Sequence, residues 1–160
     1  MEPRMTSPAL TLAGALDALQ ALGKAVNEAA SKAGLPQSTI DLVALRASQI
    51  NCCAVCLDMH SLGARKAGES DERLLTLAAW RDTPYFNDAE RAALALAEAG
   101  TRLADRGEGV PDEVFNEAAK HYDEQALGAL VVEIAAINAW NRLNVISGQV
   151  TGEWVKQWVP

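Results

Sequence analysis

The chain has 160 residues, 49% hydrophobic and 22% charged, with 14 Lys+Arg against 21 Asp+Glu and a formal net charge of −7. This is the composition of one globular domain with room for an ordinary hydrophobic core. The acidic balance disfavours phosphate-backbone binding and anionic membrane surfaces, so neither nucleic acid nor a membrane is an expected partner.

Taken in chain order, the punctuation is helical throughout. Residues 9–32 predict a first helix, with Leu12, Leu16, Leu19, Leu22 and Val26 on one stripe and Gly34 and Pro36 as the stop. Glu2, Asp17 and Gln20 interrupt the N-terminal apolar run before a secretory core forms, so a cytoplasmic protein is expected. A second helix begins in "PQSTIDLVALRASQI" with Ser38 as its N-cap. A third runs from near Asn51 to Lys66 and stops at Gly68. Ser70 caps a short fourth helix ending near Trp80, and "RDTPYFND" is a loop.

Asn87 and Glu90 have the spacing of a capping box that opens the next helix. Gly107 and Gly109 break the chain, and Pro111 suits the first turn of "PDEVFNEAAKHY". Asp123 opens a long last helix on which Leu127, Leu130, Val131 and Ile134 share a face. That helix is a poor membrane span because it carries Glu133, Asn138, Asn141 and Arg142. No segment alternates as a strand does. The expectation is a single all-α domain of about six to seven helices.

Chemistry concentrates in "INCCAVCLDMH", which holds all three cysteines and one of the two histidines. Three clustered cysteines do not make a secreted disulfide framework; in a reducing compartment a CxxC pair is catalytic, redox-active or metal-binding. On a helix, Cys53, Cys56 and His60 fall on one stripe, while Cys52 points elsewhere as a small filler. With Asn51 as N-cap, both thiols lie at the positive end of the helix, which favours the thiolate. The stripe can hold a reactive thiolate, a resolving partner and a base. Zinc is the competing reading, but C-x2-C-x3-H supplies three ligands where a structural site wants four. A thioredoxin-like reading fails because no βαβ unit surrounds the motif.

"DLVALRASQINCCAVCLDMHSLGARKAGES" resembles the core motif of the AhpD-like alkylhydroperoxidase branch of the carboxymuconolactone decarboxylase superfamily. "LLTLAAWRDTPYFNDAERAALALAEAGT" and "IAAINAWNRLNVISG" extend the resemblance over roughly residues 38–147. It implies an all-helical fold and thiol peroxidase or disulfide reductase activity. In that scheme Cys56 attacks the peroxide, Cys53 is proton donor and resolving thiol, and His60 belongs to a proton relay. The family's relay glutamate falls where this chain has Asp41, one methylene shorter. Asp41 also reads as the partner of Ser38 in a capping box.

The resemblance further implies a hydroperoxide substrate and a homo-oligomer, trimer or hexamer. The reductant would be a lipoyl protein, a thioredoxin-like protein or a small thiol. No metal or organic cofactor is needed, and no GxGxxG motif indicates a nucleotide. A lactone decarboxylase and a non-enzymatic zinc or redox-sensing module are the alternatives. Among other polar residues, Ser48, Gln49 and Asn51 can line a cysteine pocket, and His121 is placed to serve a helix end. Glu133 and Arg142 are candidates for an ion pair, and Trp140 for core or interface packing.

Overall fold

The computed structural model describes residues 1–105 and 107–159. Every regular element among them is helical. They are α1 (Pro8–Thr11), α2 (Ala15–Lys32), α3 (Gln37–Ile50), α4 (Ala54–Lys66), α5 (Asp71–Thr76), α6 (Asp88–Thr101), α7 (Asp112–His121) and α8 (Glu124–Ser147). Tighter 3-10 turns follow α5 and α6, at Leu77–Asp82 and Leu103–Asp105, and a third lies near the C-terminus at Glu153–Trp158. The all-α expectation holds, with more elements than the six to seven expected.

The extra elements come from local breaks. The expected 9–32 helix is interrupted at Leu12–Gly14, where Gly14 takes a left-handed φ of 78° that a continuous helix excludes. Of its expected stripe only Val26 is fully buried; Leu12 and Leu22 are exposed. Ser38 does not cap α3: the helix begins at Gln37 behind Pro36, and no side chain caps it. Asn87 and Glu90 do form the capping box of α6, and Ser70 and Asp123 cap α5 and α8 as expected. Pro111 stands at the N-cap of α7, one residue before its first turn.

α3 is the central helix and packs against α4, α6 and α8, while α2 lies along α8 and α7 along α6. The largest core cluster joins Val26, Val43, Leu96, Ala118, Leu127, Leu130 and Ile134 across five helices. Val131, expected on the same face, is exposed. A second cluster gathers Leu42, Leu45, Ala64, Leu77, Trp80 and Leu94. The third is small: Ala44, Ala47, Cys53, Val55, Cys56 and Ile137, with Met59 and Trp140 against it. Burial of a side chain such as Leu42, Leu77 or Leu130, each nearly inaccessible, contributes about 1.5–3 kcal/mol. The third cluster is where apolar packing surrounds reactive sulfur.

Candidate active site

α3 and α4 form an antiparallel hairpin with residues 51–53 as its corner. The corner closes through the Cys53 amide, which donates to the Ser48 carbonyl at 3.0 Å. Cys52 has a φ of 54°, the only positive value outside glycine among the described residues. Its side chain is exposed rather than serving as the expected filler. Asn51 is not the N-cap of α4. Its Nδ2 instead donates to Asn138 Oδ1 and Asn141 Oδ1, both at 2.9 Å, which ties the corner to α8.

Cys53 takes the capping place. Its Sγ accepts from the Cys56 amide at 3.4 Å, and the two sulfurs lie 2.9 Å apart as free thiols. Both are buried. Asn144 Nδ2 reaches Cys56 Sγ at 3.4 Å and Cys53 Sγ at 3.8 Å. Asn141 Nδ2, which donates to Ser48 Oγ at 3.1 Å, adds a further dipole. A sulfur pair this close shares a proton. The hydrogen bond from Cys56 outweighs burial and, with the Cys56 amide and the two asparagines, brings Cys53 down to about 6. The same hydrogen bond, burial and the Cys53 charge push the Cys56 thiol up. At neutral pH the pair therefore carries one negative charge and one proton.

His60 follows one turn beyond Cys56 on α4. It is half-buried and has no hydrogen-bond partner among the described residues. Burial drives its pKa down to about 4, so the imidazole is neutral at physiological pH. Asp41 is about two turns nearer the N-terminal end of α3 and does not touch the sulfurs. Its Oδ1 accepts from Gln37 Nε2 at 3.1 Å. Burial raises its pKa against that hydrogen bond, and the Glu69 charge adds to the rise. Asp41 also lines an open cleft of about 570 Å³ with Ser38, Glu69, Arg73, Tyr85 and Glu90. The cleft touches neither cysteine.

The structure thus brings Cys53 and Cys56 together, sets His60 beside them and leaves Asp41 at the far end of the same helix pair. The amides of Asn138, Asn141 and Asn144, which sequence reasoning did not assign to the site, arrive from α8. Their signal was present as polar residues at three-residue spacing on an otherwise apolar helix. Ser48 and Asn51 belong to this network, whereas Gln49 accepts from Arg46. Glu133 and Arg142 do not pair. Arg142 donates to Asn138 Oδ1 at 2.9 Å, and Glu133 is buried with no hydrogen bond or ion pair among the described residues. His121 lies 3.5 Å from Glu117 at the end of α7, and Trp140 packs against the cysteine cluster. Among the described residues, no group of three His, Cys, Asp or Glu side chains could hold a metal ion. Among the described residues, no helix is long and apolar enough to cross a membrane.

The sequence pattern of the carboxymuconolactone decarboxylase family matches residues 13–99. The uncharacterised protein YdfG of Bacillus subtilis (strain 168) is 38% identical over 117 residues, 73% of this chain and 78% of YdfG. The uncharacterised protein YnjA of Escherichia coli (strain K12) is 36% identical over 103 residues, 64% of this chain and 55% of YnjA. A crystal structure of ATU0492 from Agrobacterium tumefaciens aligns with a TM-score of 0.84 at 33% identity, covering 94% of this chain and 99% of that one. ATU0492 is of unknown function, and its description connects it with the antioxidant defence protein AhpD. The debrominase Bmp8, bound to 2,3,4-tribromopyrrole, shares the fold with a TM-score of 0.74 at 23% identity, over 88% of this chain and 72% of Bmp8.

Proposed function

This chain belongs to the carboxymuconolactone decarboxylase family, and from that premise we propose that it is an AhpD-like thiol peroxidase whose Cys53–Cys56 pair reduces hydroperoxides. The observation that carries the reading is the 2.9 Å sulfur–sulfur approach at the start of a helix. A buried dithiol with a depressed first ionisation has a nucleophile and a resolving thiol already in reach.

The cycle begins with the charge on Cys53 and the proton on Cys56. As Cys56 Sγ attacks the terminal peroxide oxygen, its proton crosses to Cys53. The O–O bond breaks, Cys56 becomes a sulfenic acid, and the Cys53 thiol protonates the departing alkoxide. Cys53 then attacks the Cys56 sulfur, forms the disulfide and expels hydroxide, which takes a proton to become water. Two electrons leave the sulfurs and reduce the peroxide to an alcohol and water. A lipoyl protein, thioredoxin-like protein or small dithiol returns the pair to the reduced state.

The hydrogen-bond pattern favours a second order of attack, because the resting charge sits on Cys53. Trapping sulfenic acid with dimedone in Cys53→Ser and Cys56→Ser proteins separates the two. Adduct on Cys56 in the Cys53→Ser protein supports the first order; adduct only on Cys53 in the Cys56→Ser protein reverses the roles. Absence of any adduct in either protein would remove the peroxidase reading. The apolar strip of Val131, Val132, Val145 and Ile146 on α8 supports the expected homo-oligomer, which light scattering would measure.

A further inference from the structure

Cys53 and Cys56 are 1% and 4% exposed, whereas Cys52, beside them in sequence, is open to solvent. Thiol–disulfide exchange needs an incoming thiolate in contact with one of the sulfurs. A dithiol reductant therefore reaches the pair only if something that covers it moves. We propose that residues 150–159 form a hinged strap along α4 whose opening exposes Cys53 and Cys56 to that reductant. The inference rests on the peroxidase reading above and adds a gate to it.

The course of the chain places the strap. Gly148, with a left-handed φ of 65°, turns it off α8 four residues after Asn144, whose amide reaches both sulfurs. Gln149 is fixed, because its side chain donates to the Met5 carbonyl at 2.9 Å and to the Ser147 hydroxyl at 3.0 Å. The hinge thus lies beyond it. The Thr151 hydroxyl then donates to the Asp58 carboxylate, two residues after Cys56 on α4. At the far end Val159 rests on Gly63, with 3.6 Å to the place a side-chain carbon there would take. The Lys66 ammonium donates to the Val159 carbonyl at 3.0 Å. Cys56, His60 and Gly63 are spaced i, i+4 and i+7, one stripe of the helix. The strap therefore grips α4 on both sides of the turn that joins Cys56 to His60.

Its neighbours make the strap the part that can leave. α4 packs chiefly against α3, the 3-10 turn Glu153–Trp158 and α8. α3 and α8 supply the main core, and moving either would open it. The buried strap residues, Val155 and Val159, belong to none of the three core clusters. Trp154 and Trp158 are exposed, and the Lys156–Glu153 ion pair faces solvent. The Trp154 indole donates to the Val150 carbonyl within the strap itself. Opening thus breaks two polar ties and uncovers two valines, while the strap keeps its own turn. Segments with so few buried contacts open locally well below the free energy of global unfolding.

With the strap open, one thiolate of the reductant attacks a sulfur of the Cys53–Cys56 disulfide and expels the other as thiolate. The second thiol of the reductant then displaces the mixed disulfide. Two electrons and two protons pass to the cysteine pair, and the reductant leaves as its own disulfide.

Iodoacetamide alkylation of the reduced protein, read cysteine by cysteine as peptide mass, tests the strap with Cys52 as internal reference. In wild type Cys52 should react first and the buried pair should lag. Thr151→Val removes the tie to Asp58 and should raise the rate at the pair roughly 10-fold relative to Cys52. Val155→Ala should act in the same direction, and Glu153→Gln, on the exposed ion pair, should change nothing. Reduction of the preformed disulfide by dihydrolipoamide should accelerate by the same factor, with amide exchange quickened in residues 150–159 but not in α3. Wild-type rates of alkylation and reduction in both strap variants overturn the proposal. So does a rise accompanied by faster exchange in α3, which reports unfolding of the core. If wild type forms no disulfide with cumene hydroperoxide, the peroxidase reading fails separately, and alkylation, which needs no peroxide, still judges the strap.

Discussion

Two buried polar regions of this molecule handle charge in opposite ways. Around Glu98, on α6, every charge has a counter-charge. Arg46 and Arg81 each approach its carboxylate at 2.6 Å, and the Trp80 indole donates at 3.0 Å. Burial works against the ionised form, but the hydrogen bonds from Arg81, Trp80 and Arg46 win and hold Glu98 below its ordinary pKa. Around the thiols between α3, α4 and α8 the polar partners are amides, and the nearby guanidinium of Arg142 donates to Asn138 Oδ1. Cys53 and Cys56 meet amides, apolar groups and each other, and His60 and Glu133 have no ion pair among the described residues. The first region fixes its protons and holds helices together. The second leaves protons near the point of transfer at neutral pH, as acid–base and thiol chemistry require.

The contrast is sharpest under substitution. Glu98→Ala leaves Arg46 buried without its partner and should cost about 3–5 kcal/mol of stability in urea unfolding. Loss of less than ~1 kcal/mol would show that the network is ornamental. By contrast, Asn144→Leu should leave the fold nearly intact while withdrawing a donor from both sulfurs. Thiolate absorbance near 240 nm should then titrate about one unit higher than in wild type, or ~1.4 kcal/mol. An unshifted midpoint would place the depression wholly within the sulfur pair.

Stability against pH separates His60 and Glu133, neither of which has an ion-pair partner among the described residues. His60 has a folded pKa below its unfolded one, so its contribution is present above about 6.5 and is lost as pH falls through about 4. Glu133 has a folded pKa above its unfolded one. Its contribution is present below about 4.5 and is lost as pH rises through about 8. His60→Gln should flatten the acid limb of the stability profile, and Glu133→Gln the alkaline limb. A wild-type profile unchanged by Glu133→Gln would contradict the buried acid. The smallest effect is expected at Cys52. Relief of its left-handed backbone in Cys52→Gly should raise stability by at most ~1 kcal/mol and leave disulfide formation unaltered.

Much of this arrangement could be read before any coordinates. Ser70, the Asn87–Glu90 box and Asp123 announce helix starts locally, and Gly34 and Gly68 announce stops, so the helical fold followed from neighbours in sequence. The hairpin corner did not follow. Asn51 is a better cap by composition than Cys53, but α8 claims its amide, and only then does a sulfur occupy the capping place. Asn138, Asn141 and Glu133 were visible as polar breaks in an apolar helix, which excluded a membrane span. That the asparagines turn toward a motif more than 75 residues earlier depends on how α3 and α8 pack. Asp41 shows the opposite limit: its place in the motif suggested a partner of sulfur, whereas its hydrogen bond goes to Gln37.

The central claim is that two buried thiols act as one redox unit. Fully reduced protein, stripped of metal, should be mixed with stoichiometric organic hydroperoxide and followed by intact mass and peptide mapping. The account predicts rapid loss of about two daltons, mapped to a Cys53–Cys56 disulfide with Cys52 still free. Thiols that remain reduced, or oxidise only at the rate of an unactivated cysteine, would contradict it.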